Sequence, residues 1–310
     1  MQGLSYRTHQ ELDYDAWDAC VESTPHPQPY GFSWYLNWVA PNWGAVVYGN
    51  YEAVLPVFPQ EKWRVSFSTR PFGTQQLGPF AKVPLSAELL AAMVDLAMQH
   101  VTYGEFFISH NTPLPLDWTP QQLTNLELHL DAQAVPVASL YSKQIKRNLK
   151  KAAQSEAEWA QWTTLEEAVQ LWQRTVQEKT NIHDAHLERL QRLMEFCHYQ
   201  GRGQLLSLTD STNSLVAAQF WILYQGRATL LLNAASSWAK SQGLPTLLID
   251  RAIDLWSGRV AVFDFEGSSI PGLHRFYSGF GAQDRPYYLH IDNRLPAVLR
   301  WLKPASTLKK

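Results

Sequence analysis

The fold of this chain is decided by residues 261–288, whose sequence is AVFDFEGSSIPGLHRFYSGFGAQDRPYY. The apolar run from Ala261 to Phe265 leads into a Glu-Gly-Ser sequence, which predicts a buried strand that breaks into a loop. After Pro271, apolar residues recur at helical spacing until Gly281, which predicts a short helix. The stretch therefore predicts the order strand, polar loop, short helix, strand.

Two acids mark the end of the predicted strand. Asp264 and Glu266 are two residues apart and therefore lie on one face, whereas Phe265 points the other way. A carboxylate on an apolar strand needs a partner or water, so we expect this strand end to lie at a cleft or in a polar network. For either acid alone, a purely structural carboxylate is the alternative.

Length and charge exclude some classes of protein. The chain has 310 residues, 45% of them hydrophobic, which is enough for two ordinary domains. Its formal net charge of -2 excludes a uniformly basic nucleic-acid-binding surface, although a local basic patch could hold phosphate. Cys20 and Cys197 lie far apart in predicted helices, which indicates a reducing compartment. With no leader sequence and no membrane-spanning run, we expect a cytoplasmic protein.

The two halves of the chain repeat one order of elements, namely helices, a β-hairpin, a polar loop, an amphipathic helix and a strand. The corresponding segments are 43–58 and 204–223, 86–101 and 245–257, and 105–108 and 260–265. This repetition predicts a duplicated α/β (α+β) domain with mixed, mostly antiparallel sheets. We expect one domain over residues 1–135 and a second over residues 136–310.

Two further segments are candidates for ligand binding. Residues 142–151 place five cations mostly on one side of a predicted helix, where they could hold phosphate groups. A solvated helix face is an equal alternative. The loop from Arg70 to Phe80 combines glycines with Gln75 and Gln76 and is typical of a loop that lines a site, although both glutamines could instead satisfy backbone groups.

The histidines of residues 181–186 do not predict a metal site. Two histidines and an acid lie in a turn between predicted helices, where these residue types are common as caps. The chain also has no phosphate-binding Walker loop, dinucleotide-binding glycine motif or Gly-x-Ser-x-Gly elbow. We therefore expect neither a metal nor a tightly bound cofactor.

Several motifs together resemble one family. The FDFEGS sequence at 263–268, the following Pro-Gly and the RFYSGFGA sequence at 275–282 resemble the C-terminal block of the FemAB/FemX-like branch of the acyl-CoA N-acyltransferase (GNAT) superfamily. Residues 142–152 are similar to the basic helix that opens the second domain in those proteins. Shorter matches extend the resemblance over nearly the whole chain: Trp34-Tyr35, Glu52–Pro56 and Gln75–Gly78. The resemblance implies two tandem GNAT-like domains.

The resemblance also implies an activity. We expect an N-acyltransferase that moves an aminoacyl or acyl group to a primary amine, with a cell-wall precursor as one expected acceptor. The predicted substrate contacts are Trp34, Tyr35, Gln75, Gln76, Lys146, Arg147, Lys150, Ser268 and Arg275. Two alternatives stay open: an enzyme that uses acyl-CoA or an acyl carrier protein with an amino sugar or amino acid as acceptor, and a ligand-binding protein without turnover. The oligomeric state is not predicted.

Acyl transfer to an amine sets two chemical requirements. The amine must be neutral when it attacks, and the tetrahedral oxyanion must be stabilised. Glu266 and Tyr277 are the predicted catalytic residues, because a carboxylate base and a nearby hydroxyl meet these requirements. Asp264 is a further catalytic candidate. No nucleophilic side chain is needed when the amine attacks the donor directly.

One departure from the superfamily concerns the donor. Members that use acetyl-CoA carry a glycine-rich pyrophosphate loop before the central helix, and this chain has Ser236–Leu244 at that place without the pattern. FemAB-like relatives, which use aminoacyl-tRNA, also lack the pattern. Both aminoacyl-tRNA and acyl-CoA therefore remain predicted donors, and the departure favours the former.

Overall fold

The computed structural model describes residues 3–25, 27–130, 136–176, 183–267 and 270–296. The strands are β1 (Leu4–Arg7), β2 (Gly44–Tyr48), β3 (Ala53–Val57), β4 (Pro59–Lys62), β5 (Val65–Ser68), β6 (Phe80–Ala81), β7 (Tyr103–Ile108), β8 (Gln121–Leu123), β9 (Leu126–His129), β10 (Glu158–Trp159), β11 (Gly203–Thr209), β12 (Leu215–Tyr224), β13 (Arg227–Ala235), β14 (Val262–Asp264), β15 (Gln283–Asp284) and β16 (Tyr287–Asn293). The helices are α1 (Tyr14–Glu22), α2 (Ser33–Val39), α3 (Ala87–Ala97), α4 (Val137–Leu140), α5 (Lys143–Ala152), α6 (Leu165–Val176), α7 (Asp184–Tyr199), α8 (Ser237–Ser241), α9 (Leu244–Trp256) and α10 (Pro271–Ser278).

The chain divides into two compact units, each described below by itself. The first unit combines the residues up to Thr124 with those from Pro286 onward, and the second spans Asn125–Arg285. This differs from the predicted division into 1–135 and 136–310. The difference arises from two strands. β16, near the end of the chain, pairs with β7 and β8 of the first unit, whereas β9, which precedes residue 135, pairs with β14 and β15 of the second.

The first unit contains two sheets. One has the order β1-β2-β3-β6, and the other has the order β4-β5-β7-β16-β8. Helix α3 begins after Ser86, whose hydroxyl accepts a hydrogen bond from the Leu89 N–H and so caps the helix. Its apolar face, including Leu90 and Met93, packs with Val46 and Ile108 of the strands. A core of this kind stabilises the unit mainly by removing apolar surface from water.

The second unit has a single sheet with the order β10-β11-β12-β13-β14-β9-β15. Apolar residues of this sheet, such as Leu230 and Phe263, share a buried core with residues from three helices: Ile249 of α9, Ile145 of α5 and Tyr277 of α10. Within the part of the chain that the structure describes, the strand pairs are antiparallel except for β5 with β7 and β13 with β14. The predicted α/β class with mixed, mostly antiparallel sheets is thereby confirmed.

The parallel pair β13 and β14 creates the feature on which the candidate site depends. The two strands are joined by the crossing helix α9, as a parallel pair requires. They pair over only three positions, from Arg227 with Val262 to Thr229 with Asp264. Because β14 ends at Asp264 while β13 continues to Ala235, the later residues of β13 are not covered by β14. Polar side chains at this end of the sheet can therefore serve something other than the ladder.

No helix in the described ranges is both long and apolar enough to cross a membrane. The longest of them, α7, has 16 residues and is amphipathic.

Candidate active site beside the parallel strand pair

Tyr277 lies in the interior of the second unit. It is carried by α10, and its ring stacks on Phe265 with 5.2 Å between the ring centroids and 8° between the planes. The phenol oxygen accepts a hydrogen bond from Asn233 Nδ2 of β13 at 3.1 Å. The side chain is therefore fixed at its ring by packing and at its oxygen by one amide.

A chain of three hydrogen bonds leads to that oxygen. Trp221 Nε1 donates to Gln219 Oε1 at 3.2 Å, and Gln219 Nε2 donates to Asn233 Oδ1 at 3.2 Å. An indole N–H can only donate, so it determines which atom of each amide is oxygen and which is nitrogen. Every bond in the chain therefore runs toward Tyr277, whose own proton is left to donate elsewhere.

The pKa of Tyr277 is also consistent with a hydroxyl that acts as a donor. Burial raises this pKa to about 12; the hydrogen bond from Asn233 opposes the rise, and the nearby negative charge of Glu266 adds to it. The phenol is thus protonated at neutral pH. It can donate a hydrogen bond or a proton, but it cannot serve as a base.

Glu266 has an unusual backbone conformation. Its φ is +57°, in the left-handed region, which costs a non-glycine residue roughly 1–2 kcal/mol. Tyr51, Trp63 and Gln225 also have positive φ but lie in turns between paired antiparallel strands. Glu266 follows β14 and, like Asn42 and Asn111, lies outside such a turn. A glycine would adopt this conformation without strain. Glu266 therefore occupies a position that glycine would adopt at lower cost, and its catalytic role stays a prediction.

Asp264 belongs to a buried ion-pair network and is 0% exposed. Its Oδ2 accepts from Arg227 Nη1 at 2.7 Å, and the same nitrogen donates to Glu127 Oε1 at 2.8 Å. His129 Nε2 lies 2.7 Å from Glu127 Oε2. These three strands, β13, β14 and β9, are thus joined through their side chains as well as through their ladders. The predicted catalytic residue Asp264 is therefore enclosed.

The pKa values of the two carboxylates in this network, Asp264 and Glu127, are shifted in opposite directions. Burial raises the pKa of Asp264 to about 6, although the Arg227 charge opposes the rise. Burial works against ionisation of Glu127 too, but the hydrogen bonds from His129 and Arg227 hold its pKa at about 2.

The predicted substrate contacts of the first unit are enclosed as well. Tyr35 is buried, and its hydroxyl donates to the Gly73 carbonyl. Gln75 and Gln76 are buried, and Gln76 Nε2 donates to Gln75 Oε1 at 3.1 Å. Trp34 is half-buried and stacks on Phe32. The Arg70–Phe80 loop is therefore an ordered part of the unit, and its role in binding stays a prediction.

The remaining predicted contacts lie on helices of the second unit or outside the described residues. Lys146, Arg147 and Lys150 are exposed on α5, and Arg275 is exposed on α10. Ser268 lies outside the described residues. The five cations of α5 form no ion pair with any residue in the described ranges, so their charge is available at the surface.

The amino end of α9 offers no open cradle for a diphosphate. Pro245 has no N–H, and the N–H groups of Thr246 and Leu247 both bond to the Gly243 carbonyl, at 3.0 and 3.3 Å. In the preceding α8, the Ala239 N–H bonds to the Ser236 hydroxyl and the Lys240 N–H to the Ser236 carbonyl. Helix α5 lies against this turn, where Asn148 Nδ2 donates to Thr246 Oγ1 at 3.2 Å. Phosphate binding at a helix terminus needs free amides, so the missing sequence pattern has a structural counterpart.

A separate surface cleft of about 770 Å³ lies between α4 and α9. Leu130, Val137, Tyr141 and Asp250 are among the residues that line it, and it contains none of the predicted site residues. Its lining does pair an acid with a hydroxyl, but Tyr141 donates its proton to Asp250 Oδ1 at 2.9 Å. Because the Tyr277 proton has no such acceptor among the described hydrogen bonds, the Glu266 and Tyr277 region is the better candidate. No group of histidine, cysteine or acidic side chains able to hold a metal is found in the described ranges.

Sequence reasoning did not find Gln219, Asn233 and Arg227. A signal was present, because Gln219 and Asn233 are polar residues inside strongly apolar strands. Arg227 directly follows the Gln225-Gly226 turn and therefore looked like the end of a hairpin. Its buried partners, Glu127 and Asp264, come from strands that are distant in sequence.

The fold of the chain resembles the GNAT fold. Residues 139–270 match the model of the acetyltransferase (GNAT) domain, and this match covers most of the second unit. The predicted architecture of two tandem GNAT-like domains, and its resemblance to the FemX-like branch, are confirmed.

Solved structures give the particular resemblance. FemX aligns over 94% of this chain and 98% of its own, with a TM-score of 0.63 and 11% identity. The L-PGS structure from Bacillus licheniformis aligns over 94% and 95%, with a TM-score of 0.56 and 12% identity. A tandem GNAT protein from the clavulanic acid biosynthesis pathway aligns over 95% and 99%, with a TM-score of 0.55 and 13% identity. At these identities the likeness is one of fold. None of the curated proteins matches the chain significantly.

Proposed function

We propose that the chain is an N-acyltransferase that joins an activated acyl or aminoacyl group to a primary amine, with Glu266 and Tyr277 as its catalytic residues. The observation that carries the proposal is the directed hydrogen-bond chain that leaves the Tyr277 proton free to donate. The GNAT domain match over residues 139–270 supports the reaction type. The strained Glu266 supports the position of the base.

The reaction would proceed by direct attack of the amine. The amine nitrogen attacks the acyl carbonyl carbon and forms the new C–N bond, while Glu266 takes the proton that the nitrogen loses. Tyr277 donates a hydrogen bond to the oxyanion that develops on the carbonyl oxygen. As the tetrahedral intermediate collapses, the bond to the leaving oxygen or sulfur breaks, and the leaving group accepts the proton held by Glu266. The products are an amide and an alcohol or thiol.

For the donor, the closed amino end of α9 and the exposed cations of α5 favour an aminoacyl ester on tRNA over a coenzyme A thioester. A salt-dependent binding measurement tests this choice, because Lys146→Glu is expected to reduce both the affinity for aminoacyl-tRNA and the slope of its salt dependence. Lys62→Glu, on an exposed strand of the first unit, is the matched control. Equal affinities of the two variants would contradict a role for α5.

The acceptor is proposed by resemblance alone. The similar structures include FemX, L-PGS and a protein of clavulanic acid biosynthesis, whose names point to different products. A primary amine of a cell-wall precursor is the proposed acceptor, and an amino sugar or amino acid is the alternative. A cytoplasmic location is part of the same proposal.

The deciding experiment measures amide formation by mass spectrometry with panels of aminoacyl-tRNAs, acyl thioesters and amine acceptors. We expect Glu266→Gln and Tyr277→Phe to lower the rate by about 100-fold or more without loss of fold. Glu188→Gln and Tyr199→Phe, on the exposed face of α7, are the matched controls. Full activity in both site variants would contradict the proposed site, and no product with any donor would favour a ligand-binding protein without turnover.

A further inference from the structure

Both backbone polar groups of Glu266, its N–H and its carbonyl, are hydrogen-bonded. Its N–H donates to Asp264 Oδ1 at 2.8 Å, and its carbonyl accepts from the Leu126 N–H at 3.3 Å. These bonds hold the left-handed backbone conformation of Glu266, which no helix or turn imposes. The direction of the Glu266 side chain is set by this backbone conformation.

Asp264 is itself fixed, because its carboxylate has several partners. Oδ2 accepts from Arg227 at 2.7 Å, Oδ1 accepts from the Glu266 N–H, and the Asn125 side chain also hydrogen-bonds to this carboxylate. Arg227 is held in turn by Glu127 on the neighbouring strand β9. With Asp264 fully buried, water cannot replace any of these contacts. The carboxylate therefore transmits the position of Arg227 to the backbone of Glu266.

We infer that Asp264, anchored by Arg227, is a positioning residue that fixes the backbone of Glu266 and thereby directs its carboxylate. This inference rests on the proposed role of Glu266 in acyl transfer. The competing explanation is that the ion pairs only join β13, β14 and β9. Ion pairs that only join the strands would require the Arg227 contacts but not the hydrogen bond that the Glu266 N–H donates to Asp264 Oδ1.

The composition of the network allows the two explanations to be separated. Two carboxylates share one guanidinium, so removing either carboxylate leaves Arg227 paired with the other, and no buried charge is left unpaired. Asp264→Val has similar volume, suits a strand and lacks an acceptor for the Glu266 N–H. Glu127→Gln alters the charge of the network without touching Glu266.

The experiment follows the Glu266 side-chain carboxyl by NMR in protein with ¹³C-labelled glutamate, and the signal is assigned by its absence in Glu266→Gln. We expect Asp264→Val to shift this signal and its titration midpoint, and Glu127→Gln to leave both unchanged. Asp264→Ala replaces the valine variant if valine is not accommodated. An unchanged signal in the variants without an acceptor, or an equal shift in Glu127→Gln, overturns the inference.

Activity gives a second readout once a substrate pair is known. Asp264→Val should lower kcat by about 100-fold with little change in KM, because a displaced base affects the chemical step rather than binding. Asp254→Asn, in an exposed ion pair of α9, is the control. The NMR result does not require turnover, so failure of the proposed function and failure of the positioning role are observed separately.

Discussion

Asn233 donates a hydrogen bond to the phenol oxygen of Tyr277 at 3.1 Å, and this direction is set by the indole of Trp221 two bonds away. The relationship determines what the phenol can do. A phenol oxygen that accepts from its only hydrogen-bond partner in the described residues still has its own proton to donate. The importance of Tyr277 therefore depends on Asn233 being an amide.

The first prediction reverses that hydrogen bond. In Asn233→Asp the new carboxylate accepts a hydrogen bond from the Tyr277 hydroxyl, so the phenol can no longer donate to the developing oxyanion. Loss of one such donor lowers kcat by about 100-fold. The measurement is the rate of amide formation together with a thermal melt, and Asn213→Asp in the exposed turn before β12 is the control. An active Asn233→Asp variant would show that the phenol proton is not used.

The second prediction concerns pH. The pKa of Asp264 rises from 3.8 in the unfolded chain to about 6 in the folded protein, so the folded state binds this proton more tightly. Its contribution to the free energy of unfolding is therefore complete below pH 3.8 and is lost as the pH rises to about 6. Glu127 acts in the opposite sense at lower pH, because its pKa falls from 4.5 to about 2 on folding. Its contribution is lost as the pH falls from 4.5 toward 2.

Urea denaturation between pH 4 and 7 checks the Asp264 contribution. The free energy of unfolding of the wild type, minus that of Asp264→Asn, should decrease as the pH rises through this window. Subtraction removes the effect of groups that titrate in both proteins. A difference that stays constant from pH 4 to 7 would mean that Asp264 ionises normally in the folded state.

The third prediction examines the contact between α5 and α9. Gly243 has φ +77°, and a Cβ added there would lie 2.6 Å from the Asn148 carbonyl oxygen. Gly243→Ala should destabilise the protein by about 1–3 kcal/mol, because it strains the backbone and pushes α5 away. Gly272→Ala is the matched control, since its Cβ would meet no atom within 4 Å and the residue is helical. It should be neutral or stabilise by up to about 1 kcal/mol. Similar unfolding midpoints for the two variants would refute this packing.

The sequence predicted the order of elements well where the signal is local. The strand at 262–264, the helix at 271–278 and the cap of α3 by Ser86 follow from apolar spacing, proline and a hydroxyl residue. The compact units could not be predicted in this way. Assigning β9 and β16 to a compact unit depends on partner strands more than 100 residues away along the chain. The residue pattern of neither strand indicates which strand it pairs with.

The candidate site shows the same limit. Glu266 and Tyr277 were found because they lie in the motif that carries the family resemblance. The side chains that define their chemistry, Asn233, Gln219 and Arg227, lie on two other strands, and their role depends on the sheet register and on the direction of each hydrogen bond. Asp264 was predicted as catalytic because an acid on an apolar strand is conspicuous. Its enclosure by Arg227 depends on a contact across the sheet.

The fourth prediction concerns donor recognition. If the amino end of α9 holds no diphosphate, a coenzyme A thioester gains nothing from its nucleotide at that place. Its affinity should then equal that of the pantetheine thioester with the same acyl group. Thermal melts over a range of each ligand give the two dissociation constants, because the stabilisation depends on the ratio of ligand concentration to Kd. Preference for the coenzyme A thioester by tenfold or more, about 1.4 kcal/mol, would show that the nucleotide is bound. If Gly243→Ala abolished that preference, the nucleotide would lie at α9 after all, and α5 would have to move away to admit it.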